Sequence, residues 1–149
     1  MAIDHNRTDS IDQALAYRIT RAARLLRTDL ARVLEPFGVA PEHFYLLFRL
    51  HERDGRAQGE LVDPVLDDRA NISRLVAVLE RRGLVVRRPD PTDARVRRVY
   101  LEPTGRDLMD QLLALALSER ARLFGGLTVD QLAALDHALS LIEAQSGRA

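Results

Sequence analysis

The sequence predicts a mainly α fold, six helices interrupted after the fourth by a two-stranded β hairpin, and three observations predict it. Apolar residues recur at helical spacing along most of the chain; the period switches to valine-rich strand pattern on either side of residues 89–93; and Pro, Gly and capping residues punctuate the joints. With 149 residues, 46% of them apolar and 30% charged, the chain has the size and composition of one globular unit with a sizeable core.

The first helix starts at the capping-box pattern Ser10-Ile11-Asp12-Gln13 and carries Leu15, Ile19, Ala22, Leu26, Leu30 and Val33. It runs to about Glu35, where Pro36 and then Gly38 stop it. Pro41 suits the first turn of a second helix, with Phe44, Leu47, Phe48 and Leu50 inward and Asp54-Gly55 as its terminating turn. Gly59 to Leu66 reads as a brief third helix containing Pro64. Asp68 is positioned to cap a fourth from Arg69 to Arg82, whose inward stripe is Ile72, Leu75, Val76 and Leu79 and whose stop is Gly83.

Leu84 to Arg88 and Val96 to Leu101 are the hairpin strands, joined through the turn formers Pro89-Asp90-Pro91-Thr92-Asp93. Pro103 opens a fifth helix carrying Leu108, Leu112, Leu115 and Ala116, and Gly125-Gly126 ends it. Thr128-Val129-Asp130-Gln131 is a second capping box, and Leu132, Leu135, Leu139 and Ile142 lie on one face of the sixth helix.

A formal charge of zero hides a strong polarity. Residues 69–98 hold nine arginines against Glu80, Asp90 and Asp93, a local charge of +6, so the remainder carries −6. Attraction to phosphate is local, so this distribution suits nucleic acid despite the neutral total. All 22 basic residues are arginine, whose planar fork matches phosphate and guanine, although base composition of the coding sequence accounts for the bias equally well.

Several function classes are excluded. The absence of cysteine removes disulfides and thiolate zinc sites, and His5, His43, His51 and His137 have no metal-ligand spacing, so no metal and no cofactor is expected. There is no glycine-rich phosphate loop, nucleophile elbow or His-Glu helix motif, which argues against an enzyme. The longest strongly apolar stretch, Leu112 to Leu117, is too short to span a bilayer, and residues 1–10 lack a secretory pattern, so a cytoplasmic location is expected.

Two short helices, a capped helix, a glycine stop and an arginine-bearing hairpin, in that order, are the parts of a winged helix-turn-helix. On a wheel of about 100° per residue, Ala70, Arg74, Ala77 and Arg81 lie opposite Ile72. Small alanines let the backbone approach base edges, Arg69 and Arg74 can reach phosphate or guanine, and Asn71 and Ser73 flank them as hydrogen-bonding groups. Any solvated amphipathic helix resembles this face, so the hairpin decides. Arg87, Arg88, Arg97 and Arg98 line its strands, and at its tip Asp93 would hold the Arg95 guanidinium in a direction suited to the minor groove. A winged-helix adaptor gripping an acidic protein with the same basic face is the alternative.

The run from Asp68-Arg69-Ala70-Asn71-Ile72-Ser73-Arg74-Leu75 through Leu79-Glu80-Arg81-Arg82-Gly83-Leu84-Val85 to Pro89-Asp90-Pro91-Thr92-Asp93-Ala94-Arg95 resembles the MarR family of bacterial regulators. The resemblance extends from the first helix to the last. It implies a homodimer joined through helices at residues 10–35 and 104–146, a DNA-binding region at residues 41–101, recognition by the fourth helix, and a D-x-R wing represented by Asp93 and Arg95. It also implies a small aromatic or anionic effector bound between the dimerising helices and the DNA-binding lobe, with Tyr17, Arg21, His43 and Tyr45 as polar or aromatic candidates. Three positions depart from the family pattern: Leu66 stands at a turn usually glycine, Asp67 replaces an apolar residue, and Glu102 replaces a capping threonine, leaving Thr104 to cap the fifth helix.

Overall fold

The computed structural model describes residues 5–62 and 69–146, with side chains described from residue 14 onward except that of Arg69. Two compact units, residues 1–113 and 114–149, divide the chain. Among the described residues there are five α-helices and three strands, in place of six helices and two strands.

Helix α1 (His5–Leu34) begins five residues before Ser10, so Ser10 lies inside it and does not mark its start. The arginine, alanine and leucine that dominate residues 14–32 are strong helix formers that carry it without interruption. A 3-10 turn at Glu35–Phe37 closes it. Helix α2 (Pro41–Glu52) has proline in its first turn, as expected, and buries Phe44, Leu46, Leu47 and Leu50, while Phe48 is half-buried.

Strand β1 (Arg56–Ala57) is too short to show alternation in the sequence. It exists because β3 offers a free edge, with Arg56 opposite Val99 and Ala57 opposite Arg98. The expected third helix over 59–66 is instead a 3-10 turn at Gln58–Leu61, and Val62 is already extended. Glycine at its second position and Pro64 beyond it deprive this segment of the propensity and backbone donors that propagate an α-helix. Residues 63–66 lie outside the described residues, as does the Asp68 cap.

Helix α3 (Arg69–Arg81) buries Ile72, Val76 and Leu79 completely and Leu75 in part. Gly83, at φ 70°, ends it: its N–H donates to Glu80 O at 2.9 Å and the Leu84 N–H donates to Leu79 O at 3.0 Å, the double closure that a left-handed residue permits. Strands β2 (Val85–Pro89) and β3 (Arg97–Leu101) pair antiparallel, Val85 opposite Leu101 and Pro89 opposite Arg97, giving the sheet order β1-β3-β2.

Helix α4 (Pro103–Phe124) opens at the expected proline. Thr104 does not cap it; its hydroxyl donates to Gly83 O at 2.6 Å, tying the start of α4 to the end of α3. Gly105 makes this closeness feasible, since a side chain there would collide with the Leu84 carbonyl. Met109 and Leu112 of α4 complete a core formed with Leu34, the buried leucines of α2, Leu61, the α3 stripe and Val99.

In the second unit, helix α5 (Val129–Ser146) starts at the predicted capping box: the Thr128 N–H donates to Gln131 Oε1 at 2.9 Å and the Gln131 N–H to Thr128 Oγ1 at 3.2 Å. None of its residues is buried. No helix among the described residues is long and apolar enough to cross a membrane.

Candidate nucleic-acid interface

The outward face of α3 follows from its inward one. With Ile72, Val76 and Leu79 sealed in the core, Ala70, Arg74 and Arg81 are exposed, and Asn71, Ser73 and Ala77 are half-buried at its margins. The side chain of Arg69 lies outside the described residues. Beyond Gly83 the wing continues this basic surface with exposed Arg88, Arg95 and Arg97. Arg88 also lies over the Tyr100 ring, its guanidinium carbon 5.5 Å from the centroid, which packs the side chain along the sheet.

Two of the expected wing arginines are already occupied. Arg87 uses its Nε and Nη2 on Glu80 Oε2, at 3.0 and 2.8 Å, while its backbone N–H donates to Glu80 Oε1 at 3.1 Å. The Arg87 side-chain bond, then its backbone bond, hold the Glu80 carboxyl below its ordinary pKa. Arg98 donates through Nε to Asp90 Oδ2 and through Nη1 to Gly55 O at 2.8 Å.

Asp90 organises the hairpin turn. Its Oδ1 accepts from the Thr92 N–H at 2.7 Å, the Thr92 hydroxyl at 2.6 Å and the Asp93 N–H at 3.1 Å, and the residue is nearly buried. The two Thr92 bonds, followed by Arg98, drive its carboxyl pKa far below the usual carboxylate range. The expected grip of Asp93 on the Arg95 guanidinium is absent: Asp93 Oδ1 accepts from the Arg95 backbone N–H at 3.0 Å. Two residues of separation at a tight turn favour this short backbone bond, so Asp93 shapes the loop and the Arg95 side chain extends into solvent.

A further hub lies under β1 and β3. Asp54 Oδ1 accepts from the Gly55 N–H at 3.0 Å and the Leu101 N–H at 2.9 Å, while Oδ2 pairs with Arg106 of α4. An open groove of about 450 Å³ lies beside the wing, lined by residues 57–60 and by Arg95, Val96 and Arg97. The sequence marks Asp54 and Asp90 only as turn formers and assigns Glu80 no structural role. For Asp90 a signal existed, since Asp followed two residues later by Thr is an Asx-turn pattern; for Glu80 and Asp54 the partners are set by tertiary packing.

The four effector candidates do not form one described cavity. Tyr17 is 68% exposed and Arg21 is exposed on α1; Tyr45 is half-buried and meets Phe44 edge-on at 5.8 Å. Both ring nitrogens of His43 are buried without a hydrogen-bond partner. Burial, then the nearby Arg82, lower the His43 pKa, and Glu42 partly opposes them. Arg82 itself donates to Gly38 O at 2.7 Å and Phe37 O at 3.0 Å, pinning the α1–α2 turn to the end of α3. Among the described residues no group of three or more His, Asp or Glu could hold a metal ion.

The MarR-family model matches residues 37–96, which run from the end of the 3-10 turn through α2, α3 and β2 to the tip of the hairpin. This part of the chain is similar to the MarR family. The HTH-type transcriptional regulator YkoM of Bacillus subtilis (strain 168) is 26% identical over 125 residues, 83% of this chain and 81% of that protein. Among solved structures, the transcriptional repressor CouR bound to a 23-mer DNA duplex superposes with a TM-score of 0.81 at 28% identity, covering 89% of this chain and 94% of that one. CouR from Rhodococcus jostii RHA1 bound to p-coumaroyl-CoA gives 0.79 at 26%, covering 86% and 90%. These relatives are transcription regulators, and the chain is similar to them over most of its length.

Proposed function

We propose that the chain is a homodimeric, sequence-specific repressor that reads an inverted repeat in duplex DNA and is released by a small aromatic or anionic effector. The observation that carries this reading is the exposure of Arg74 and Arg81 on α3 together with Arg88, Arg95 and Arg97 on the wing, all within the unit of residues 1–113. Alanine at position 70 and the polar Asn71 and Ser73 give α3 the small, hydrogen-bonding edge that base readout requires. The wing tip would enter the adjacent minor groove through Arg95.

Dimerisation is assigned to residues 10–35 and 104–146, and DNA binding to residues 41–101. Leu15, Ile19, Leu25 and Leu26 of α1 are exposed in the first unit, and Leu132, Leu135, Leu139 and Ile142 of α5 are exposed in the second. Rows of exposed leucine at helical spacing are costly in water, and a second copy would cover them. CouR, which has been solved with a DNA duplex and with p-coumaroyl-CoA, lends the effector its chemical class, an aromatic anion. A DNA target implies a cytoplasmic location.

Selection of bound duplexes from a random pool, followed by footprinting, tests the reading. The expected result is an inverted repeat with half-sites centred about 10 bp apart, or a multiple of that, and affinity that falls steeply with added salt. An isolated half-site, or capture of acidic protein in place of any duplex, would refute it.

A further inference from the structure

We infer that Arg87 and Arg98 hold the wing in its DNA-reading position, anchored by Glu80 and Asp90, and do not themselves contact DNA. This rests on the DNA-binding reading above. β2 is an edge strand of the sheet, and the Arg87 N–H on its free side is satisfied by Glu80 of α3. The same carboxylate takes the Nε and Nη2 edge of the guanidinium, one of the edges through which an arginine grips phosphate or guanine in bidentate fashion. Three bonds between one residue of α3 and one of β2 brace the angle between recognition helix and wing, beyond the short connection through Arg82, Gly83 and Leu84 and the shared apolar core.

The far end of the wing is fixed in the same way. Arg98 ties Asp90, and through it the turn residues Thr92 and Asp93, to the Gly55 carbonyl on the opposite side of the sheet. The Glu80–Arg87 pair is partly open to solvent and adds little to global stability, whereas Asp90 is nearly buried beneath Arg98. The effect of both pairs is directional: without these ties the outer end of the hairpin, beyond the strand residues held in the core, would spread Arg95 and Arg97 over many positions, and each would lose its groove or phosphate contact.

Charge alone predicts the opposite outcome, which makes the inference testable. Glu80 lies close to a surface that receives a polyanion, so removing its charge should tighten DNA binding if it has no positioning role. The experiment measures affinity of the full chain for its selected duplex, at several salt concentrations, for the wild type, Glu80→Gln, Arg87→Gln, Arg95→Ala and the Arg87→Gln/Arg95→Ala pair. Glu80→Gln is expected to weaken binding about 3- to 30-fold, and Arg87→Gln is expected to have a much smaller effect once Arg95 is already absent. Tighter or unchanged binding by a folded Glu80→Gln variant overturns the inference, as does full additivity of Arg87→Gln with Arg95→Ala. Should Glu80→Gln lose its circular dichroism, the Arg87–Arg95 cycle decides alone. A wild-type chain that selects no duplex overturns the DNA-binding reading as well, whereas wild-type binding with additive variants overturns this inference only.

Discussion

Helices α3 and α5 carry apolar residues at the same helical spacing, and the single chain treats them in opposite ways. Ile72, Val76 and Leu79 of α3 are completely buried, whereas Leu132, Leu135, Leu139 and Ile142 of α5 are between 37% and 46% exposed. The winged helix finishes its core within residues 1–113, drawing on α1, α2, the sheet and the first part of α4. The second unit is a helix pair with a well-made cap and an apolar face left open. A hydrophobic period therefore specifies a helix and a sticky side, but the contacts that bury that side come from whatever else the fold, or a second copy, brings to it.

The sharpest way to break this contrast is to remove one apolar side chain from each helix. Leu79→Ala should destabilise the protein by about 2–5 kcal/mol in urea unfolding, independent of protein concentration, because it opens a cavity in a closed core. Leu139→Ala should lower stability in a concentration-dependent manner and shift sedimentation toward monomer. Equal, concentration-independent losses in both would end the distinction.

At the wing tip, Arg95→Ala should weaken duplex binding by about 1–3 kcal/mol and reduce the salt slope by about one counterion, leaving thermal stability and self-association unchanged. An unaltered affinity would remove Arg95 from the interface. Thr128→Ala deletes the reciprocal cap of α5 and should cost about 1 kcal/mol of stability, measurable as weaker association at fixed concentration. Unchanged association would uncouple the cap from the open apolar face.

The smallest expected effect concerns pH. Burial and then Arg82 depress the His43 pKa in the fold, so as the pH falls the unfolded chain, with the ordinary value of 6.5, takes up its proton first. The sign follows: stability is complete above about 6.5 and declines as the pH falls through that value toward the lower folded one. His43→Gln should flatten this part of the stability profile; a profile identical to the parent would exclude His43 as its source.

Much of the fold was legible in residues alone, and the reasons are local. Pro41 and Pro103 mark helix starts because a missing N–H does no harm there, Gly83 marks a stop because it tolerates positive φ, and Thr128 with Gln131 satisfies the first donors of α5. The outer face of α3 was equally readable, since it is the complement of an apolar stripe. Where the reading went astray, the deciding partner was distant in sequence or the competing local bond was shorter. β1 is two residues that β3 recruits, Thr104 bonds Gly83 across 21 positions, and Asp93 takes a backbone N–H in preference to a guanidinium.

The arginines draw the line most clearly. Composition and spacing determined that residues 69–98 form a basic segment on an otherwise acidic chain, because charge is counted along the sequence. Which guanidiniums remain available was decided only when α3 and the wing came together, putting Glu80 against Arg87 and Asp90 against Arg98 and leaving Arg74 and Arg95 exposed. A salt bridge forms where two side chains meet in space, and that meeting is a property of the assembled tertiary structure.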